Sequence, residues 1–265
     1  GMASSGTQTA ALSAGGNEPT VSLTEEYNGT SWSESGDLST ARVGLAGAGI
    51  QTASLAFGGS TSGSSGDRTT ATEGYDGTSW SSRPSLGTAR RLGGGAGLNT
   101  AAIYHGGYTT TDISLTEEFT VSVSATTAAA FASGGNMNTA RRALWGCGTQ
   151  TAGLVFGGYV GPPVEAKTEE YNGTSWSEQN DLNTAGYHIA GTGTQTAGLA
   201  FARGNGTPIM PYTEEYNGTS WSEQNDMGTA RYVASGFGTQ TAAGCVGGSG
   251  SSNATEEYDG SSWTA

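Results

Sequence analysis

Few residues of this sequence are of the types that usually carry out catalysis or bind metals. There are two histidines, His105 and His188, and two cysteines, Cys147 and Cys245. The cysteines fit no metal-binding or redox spacing, and two histidines at unrelated positions provide no Ser-His-Asp arrangement. Acidic loops elsewhere lack the ligand spacing of a calcium loop. We therefore expect a protein that is not an enzyme and that has neither a metal site nor a cofactor.

Side chains suited to ligand binding fall in six short segments that differ from one another. These segments read NEPTVSL, STSGSSGDRTTA, YTTTDISL, YVGPPVEAK, GNGTPIMPY and SGSSNA. In or beside them lie the candidate binding residues Arg68, Tyr108, Asp112, Tyr159, Arg203, Met210 and Tyr212. Tyrosine rings stack on sugars, and arginine and aspartate form directional hydrogen bonds, so the set suits recognition of a glycan or a protein.

The rest of the chain is repetitive. The stretch TEEYNGTSWSEQND occurs twice without a change, at 168–181 and 213–226. Copies of a TEEY-like stretch begin at residues 24, 72, 116, 168, 213 and 255, which are 42 to 52 residues apart. They alternate with six copies of a GTQTA-like stretch. A repeat of this length predicts an architecture of small units that pack on their neighbours.

Each unit contains four strand-length segments, which we name A to D. In the unit at 141–178 they read RRALWGCG, AGLVFGG, KTEEY and TSWSE. The NG pair between C and D is typical of a two-residue type I′ turn, in which both residues have positive φ. The tryptophan after this turn is expected to pack one unit on the next.

Six such units predict an all-β fold, a six-bladed β-propeller with four-stranded antiparallel blades. We expect one domain over 1–265, with approximate blades at 2–38, 39–86, 87–137, 138–182, 183–227 and 228–265. Glycines in the A segments would let the innermost strands approach the axis. The B–C and D–A loops would share one face, where loops on a rigid scaffold often bind ligands. Closure would rest on packing between the first and last blades, unless the chain is part of a longer protein.

Several blades depart from the repeat. Phe131 is expected to replace the tryptophan of blade 3, in a C–D hairpin seven residues longer than the others. Gly186 stands where other blades have arginine, and FAR replaces FGG at 201–203. His105 occupies the position of Phe57 and is expected to be packed, whereas His188 would lie in an A strand beside the channel.

The order FGG, EEY, SW and TAR resembles the motif of the kelch family, in which a double glycine, a tyrosine, a tryptophan and an arginine follow one another. The resemblance covers nearly the whole chain and implies a kelch-type propeller. The amino-acid sequence of the repeats is also similar to kelch-type repeats in marine phage and environmental sequences. Some kelch-like propellers are copper radical oxidases, but the two histidines here do not form the required ligand set. A glycosidase is not expected either, because no arginine triad or paired acid stands out.

Charge and hydropathy exclude several partners. The net charge is −13 and the pI is about 4.4, so nucleic acid is not an expected partner. No apolar run approaches about 18 residues, and the start GMASSGTQTAA lacks the basic and apolar regions of a signal peptide. We expect no membrane insertion. A phage-associated or surface adhesin-like module, on a virion or outside the cell, is the preferred interpretation. A purely structural particle or fibre component is the alternative, and the oligomeric state is left open.

Overall fold

The computed structural model describes residues 1–17, 19–63, 66–121, 129–162, 164–206, 208–249 and 254–265. Within these ranges the chain forms strands and turns and no helix. Six antiparallel four-stranded sheets follow one another around an axis as a six-bladed β-propeller, which confirms the fold predicted from the repeats.

The strands of the first three blades are short and regular. Blade 1 consists of β1 (Ala3–Thr7), β2 (Ala10–Ala14), β3 (Thr24–Tyr27) and β4 (Trp32–Glu34). Blade 2 consists of β5 (Ala46–Ile50), β6 (Ala53–Phe57), β7 (Thr72–Tyr75) and β8 (Trp80–Arg83). Blade 3 consists of β9 (Gly94–Leu98), β10 (Ala101–His105), β11 (Thr116–Thr120) and β12 (Ala130–Ser133).

The remaining blades follow the same plan, with a small added hairpin in blade 5. Blade 4 consists of β13 (Trp145–Thr149), β14 (Ala152–Phe156), β15 (Thr168–Tyr171) and β16 (Trp176–Glu178). Blade 5 consists of β17 (Ala190–Thr194), β18 (Ala197–Phe201), the hairpin β19 (Arg203–Gly204) and β20 (Ile209–Met210), β21 (Thr213–Tyr216) and β22 (Trp221–Gln224). Blade 6 consists of β23 (Ser235–Thr239), β24 (Ala242–Val246), β25 (Thr255–Tyr258) and β26 (Trp263–Thr264).

The innermost strands carry glycine where neighbouring blades come closest. A Cβ atom on Gly95 would lie 3.0 Å from the ring of Phe57, which comes from the preceding blade. A Cβ atom on Gly47 would lie 2.8 Å from the carbonyl oxygen of Ser4. The glycines therefore make room both for aromatic rings and for the neighbouring backbone.

Three polar contacts join each blade to the preceding one at most positions in the ring. The indole N–H of Trp221 donates to Thr168 Oγ1 at 2.9 Å. The hydroxyl of Tyr216 donates to Glu170 Oε1 at 3.0 Å, and Gln240 Nε2 donates to the Tyr216 carbonyl at 2.7 Å. The tryptophan of the repeat thus packs between blades, as predicted.

Blades 1 and 6 close the ring with these same contacts and without a shared strand. The bonds are Gln8 Nε2 to Tyr258 O (3.2 Å), Tyr27 Oη to Glu257 Oε1 (2.9 Å) and Trp32 Nε1 to Thr255 Oγ1 (3.1 Å). Each of the two blades is built from one continuous segment. Between these two blades, closure of the ring rests on packing and side-chain bonds.

A buried ion pair fixes the start of strand C in five blades. The pairs are Arg42–Glu73 (2.8 Å), Arg90–Glu117 (3.1 Å), Arg141–Glu169 (2.8 Å), Arg203–Glu214 (2.5 Å) and Arg231–Glu256. In blade 5 the arginine comes from the end of strand B instead of the preceding loop. A Cβ atom on Gly186 would lie 2.8 Å from Arg203 Cδ. The unusual residues at 186 and 203 are therefore one coordinated exchange that keeps the guanidinium in place.

The C–D turns differ from the expected type I′ turns. In blade 4 the strand register leaves four residues, 172–175, between the paired strands. Gly173 has a φ of 88°, but Asn172 does not have positive φ. Instead, Asn172 Oδ1 accepts hydrogen bonds from the N–H groups of Thr174 at 3.0 Å and Ser175 at 2.9 Å. The type I′ prediction was wrong because the side chain of Asn or Asp itself bonds to the turn backbone.

Blade 3 uses a phenylalanine in place of the tryptophan. The strand register places Phe131 opposite Phe119, and their ring centroids lie 5.1 Å apart. This confirms the predicted replacement. Most of the residues that lengthen this C–D hairpin, at 122–128, lie outside the described residues.

His105 is packed in the core, as its repeat position predicted. It is fully buried, and its ring lies 5.3 Å from that of Trp176. Neither ring nitrogen has a hydrogen-bond partner among the described residues. Burial, with a smaller contribution from the charges of Arg141 and Arg90, lowers its pKa to about 3. The imidazole is therefore neutral in the folded protein at ordinary pH.

Candidate functional site

A strained inner ring of residues surrounds the axis on the face formed by the B–C and D–A loops. In blades 2 to 6, each member stands two residues ahead of strand A. The members are Gly44, Leu92, Ala143, His188 and Val233. All five have positive φ, between 50° and 66°, which is unfavourable for the four that are not glycine. Four of them donate through their N–H to the residue before them in the ring, as Leu92 does to the Gly44 carbonyl at 2.8 Å, and Gly44 donates to the carbonyl of Gly1 in blade 1 at 2.9 Å. The ring therefore holds the loops in fixed positions.

The inner ring borders a cavity on the axis. Its walls are mainly apolar and include Leu45, Leu144, Trp145 and Ile189, with His188 among the lining residues. His188 precedes β17 instead of lying within it, so the expected place in strand A was wrong but the place beside the channel is confirmed. Burial lowers its pKa to about 4, and the N-terminal amino group, Arg142 and Arg91 add to this effect.

A second ring lies next to the first and brings the D–A loops beside the B–C loops. The residue before each inner-ring residue pairs with the residue that follows the double glycine of strand B or, in blade 5, with Gly204. Arg91 pairs in this way with Tyr108, and Arg142 pairs with Tyr159. The two polypeptide segments are joined by backbone bonds, such as that from Tyr108 N to Arg91 O at 2.8 Å.

Arginine and tyrosine side chains alternate on this second ring. The guanidinium of Arg142 lies 4.7 Å from the ring centroids of both Tyr108 and Tyr159. Asp112 accepts an ion-pair bond from Arg142 at 2.5 Å. The guanidinium of Arg68 lies 5.9 Å from the Tyr108 ring on blade 2's side. Cation–π contacts of this kind hold the side chains together.

A row of aromatic rings continues from Tyr159 toward blade 6. The centroids of Tyr159 and Tyr187 lie 5.5 Å apart, those of Tyr187 and His188 lie 5.0 Å apart, and those of His188 and Tyr232 lie 6.0 Å apart. We call the whole set the arginine–tyrosine cluster. Its members are Arg68, Arg91, Tyr108, Asp112, Arg142, Tyr159, Tyr187, His188 and Tyr232.

The structure brings together four of the seven candidate binding residues, namely Arg68, Tyr108, Asp112 and Tyr159. The other three lie in blade 5. Arg203 is fully buried in its ion pair, and Met210, which pairs with it in the small hairpin, is 5% exposed. Tyr212 is 40% exposed and makes none of the ring contacts that define the cluster.

Sequence reasoning missed four members of the cluster. Arg91, Arg142, Tyr187 and Tyr232 stand at the position after the arginine or glycine that opens a blade. This position was assigned to strand A, whereas the strand begins three residues later, as at Gly94 in blade 3. A signal was present, because this position varies among valine, arginine and tyrosine within segments that otherwise repeat.

Comparison with known proteins does not assign this chain to a family. No protein-family model matches the chain, and no curated protein sequence matches it. In the described ranges, no group of three or more His, Cys, Asp or Glu side chains could hold a metal ion. The described residues also contain no helix able to cross a membrane. The class that the fold and this face define is a six-bladed propeller with a polar and aromatic cluster around its axis.

Proposed function

We propose that this chain is a non-enzymatic binding module that recognises a glycan through the arginine–tyrosine cluster. The observation that carries the proposal is the convergence of variable side chains from blades 2 to 6 on one face, while the rest of each blade repeats. Repeated residues serve packing that all blades share. Residues that differ and yet meet in space are those expected to make a binding site.

The chemistry of the cluster suits a carbohydrate. Tyr159, Tyr187 and Tyr232 are partly exposed, so their rings offer flat apolar surfaces with a polar edge. The guanidinium of Arg142 and the carboxylate of Asp112, also partly exposed, can bond to hydroxyl groups. The apolar cavity on the axis adjoins this row through His188 and offers room for a small apolar substituent.

The repeats support a broader proposal about context. Their order of FGG, EEY, SW and TAR favours a kelch-type propeller. Their amino-acid sequence favours a phage-associated or surface adhesin-like protein. Glycan recognition by the cluster fits such a protein, since adhesins attach to surface sugars.

A glycan array tests the proposal. The purified chain is compared with Tyr187→Ala and Tyr232→Ala, and with Leu98→Ser as a control at an exposed residue that ends an A strand on the opposite face. We expect binding that both tyrosine variants lose and the control retains. A blank array from a folded protein would overturn the glycan proposal and favour a protein ligand or a structural role in a particle or fibre.

A further inference from the structure

We infer that the ligand of the arginine–tyrosine cluster is an anionic saccharide, whose carboxylate or sulfate lies at Arg68, Arg91 and Arg142 and whose sugar rings follow the row of tyrosines. This inference rests on the proposed function and adds the charge and direction of the ligand. It is carried by the distribution of positive charge, by two unpartnered donors and by the geometry of the row.

Positive charge in this acidic protein is confined to few places. The chain has ten Lys and Arg residues against a net charge of −13, and five arginines are fully buried in the ion pairs of the blades. The remaining five are Arg68, Arg83, Arg91, Arg142 and Lys167. Three of these five belong to the cluster. A local concentration of positive charge in a negative protein attracts anions to that place.

In the part of the chain that the structure describes, one ion pair involves the three cluster arginines. The carboxylate of Asp112 pairs with Arg142 at 2.5 Å. His188, which also faces the cluster, is neutral. Burial lowers the pKa of Arg91, and the like charges of Arg68 and Arg142 lower it further. A bound anion would relieve this repulsion.

Two guanidinium nitrogens of the cluster also lack acceptors. Arg68 Nη1 and Arg91 Nε are buried and have no hydrogen-bond partner among the described residues. The Nε atoms of the five ion-paired arginines are also unpartnered, and Arg91 Nη1 donates to the Gly63 carbonyl, so Arg68 Nη1 is the more informative of the two. Buried donors are nearly always paired in proteins. The oxygens of a carboxylate or sulfate match the fork of a guanidinium and would supply the missing acceptors.

The aromatic row gives the ligand a direction. The row begins at Tyr159, which contacts the guanidinium of Arg142 at 4.7 Å, and it leads through Tyr187 and His188 to Tyr232. The arginines lie at one end of this row and none of the three lies at the other. The acidic sugar is therefore placed on the side of blades 2 to 4, and neutral sugars extend toward blade 6.

Calorimetry with one pair of probes tests the inference. The probes are an oligosaccharide that contains uronic acid and the same oligosaccharide after its carboxyl groups are reduced to alcohols, at about 150 mM salt, where exposed charges more than about 8 Å apart are largely screened. We expect the acidic probe to bind about 10- to 100-fold more tightly, as a charged hydrogen bond implies. A sulfated analogue distinguishes the two kinds of anion.

Variants assign the effect to the cluster. Arg91→Gln should reduce the preference for the acidic probe to nearly none, and Arg91→Lys should retain part of it. Arg83→Gln, in strand D of blade 2, is the matched control and should change nothing. Unfolding curves show whether each variant is folded.

Other outcomes separate this inference from the proposed function. Equal binding of both probes, lost in Tyr187→Ala, would overturn the anionic saccharide and leave glycan recognition intact. Binding of neither probe, together with Arg91-dependent binding of an acidic peptide, would overturn the saccharide and the proposed function together. Loss of the preference in Arg83→Gln would overturn the assignment to the cluster.

Discussion

The junction between blades 6 and 1 and the junction between blades 2 and 3 solve the same packing problem differently. At the first junction no peptide links the blades, and all three polar contacts of the repeat are present, from Gln8, Tyr27 and Trp32. At the second junction the chain itself links the blades, and the corresponding residues of blade 3 are Asn99, Phe119 and Phe131. The side-chain bonds are complete where the chain provides no connection.

At the junction of blades 2 and 3, hydrogen-bonding groups of the repeat are missing from both blades. Phe119 has no hydroxyl, and the glutamate that it would reach is replaced by Gly74. Thr72 Oγ1, which would accept the indole bond, is buried without a partner among the described residues because Phe131 has no N–H. Aromatic packing replaces the bonds, since Phe131 lies 6.3 Å from Phe57 and edge-on to it. Polar and apolar contacts thus serve as alternatives at equivalent interfaces.

The largest expected effect comes from weakening the closing junction. The double variant Tyr27→Phe with Trp32→Phe removes a bond to a carboxylate and a neutral bond, and we expect the free energy of unfolding to fall by about 3 kcal/mol. Urea unfolding measures this loss. Hydrogen exchange should also accelerate in β1 and β23, because blade 1 then separates locally from blade 6.

The matched control for that variant is Tyr75→Phe with Trp80→Phe. It removes the two equivalent bonds between blades 2 and 1, which the chain links, and also the bond between the Tyr75 and Ser35 hydroxyls. A similar loss of stability is expected, without local exchange at β1 and β23. Equal acceleration of exchange in both variants would contradict the role that we give to the peptide link.

Restoring a bond between blades 2 and 3 should stabilise the protein. In the double variant Gly74→Glu with Phe119→Tyr, the new hydroxyl can donate to the new carboxylate, for a gain of about 1.5–3 kcal/mol in urea unfolding. A Cβ atom at position 74 would lie 2.6 Å from Arg83 Nε, but this side chain is exposed and can move. Phe119→Tyr alone should lose stability, because it buries a hydroxyl without its acceptor. A double variant no more stable than this single variant would refute the prediction.

A third interface, between blades 3 and 4, extends the comparison to His105. His105→Phe restores the ring found at Phe57 and removes two unpartnered nitrogens, so the free energy of unfolding at pH 7 should rise by about 1–3 kcal/mol. The reverse substitution, Phe156→His in blade 4, should lower the free energy of unfolding by a similar amount. Thermal and urea unfolding of both variants measure these changes.

The His105→Phe variant should also change how the stability of the protein depends on pH. The pKa of His105 is about 3 in the folded protein and about 6.5 when unfolded, so the unfolded state binds the extra proton between these values. Stability of the parent should therefore fall as the pH drops from about 6.5 toward 3, by up to about 1.4 kcal/mol per pH unit. The His105→Phe variant should lack this component. Parallel pH profiles for parent and variant would show that His105 is not responsible.

The smallest expected effect is at Asn99. Asn99→Gln lengthens the side chain so that it can reach the carbonyls of blade 2, as Gln240 reaches those of blade 5. We expect a gain of about 0.5–1 kcal/mol in urea unfolding. The converse change, Gln240→Asn, should cost a similar amount. A loss of stability in Asn99→Gln would indicate that the apolar junction is already optimal.

The fold could be predicted because every blade repeats one set of packing contacts. The same periodicity located Phe131 and placed His105 in the core. It failed at Asn172, where a side-chain acceptor gives the turn a different shape from the one that NG usually adopts. The periodicity also did not reveal that Arg203 completes an ion pair, because this guanidinium comes from the end of strand B and not from the loop before strand A. Only three-dimensional contacts show that kind of exchange.

The candidate site was only partly accessible from sequence for a related reason. Variable B–C loops are conspicuous, and they pointed to Tyr108 and Tyr159. Arg91 and Arg142 follow directly on buried arginines and look like part of the conserved blade start. The inner ring, whose positive φ values cannot be read from Leu92 or similar residues, turns them onto the face of the B–C loops. Local strain of this kind depends on all the blades together.

The ring of backbone bonds around the axis has a consequence for how this protein could change its specificity. Every N–H of the ring is directed to the blade before it, so the bonds run in one rotational sense and leave none of these five donors free for a ligand. Under the proposed function, recognition at the mouth of the channel would therefore use side chains and not these N–H groups. The position before each ring residue is equivalent in the five blades and carries different side chains. These are Val43, Arg91, Arg142, Tyr187 and Tyr232. If the proposed function is right, exchanging the side chains at these positions blade by blade would change the ligand and leave the backbone of the ring unchanged.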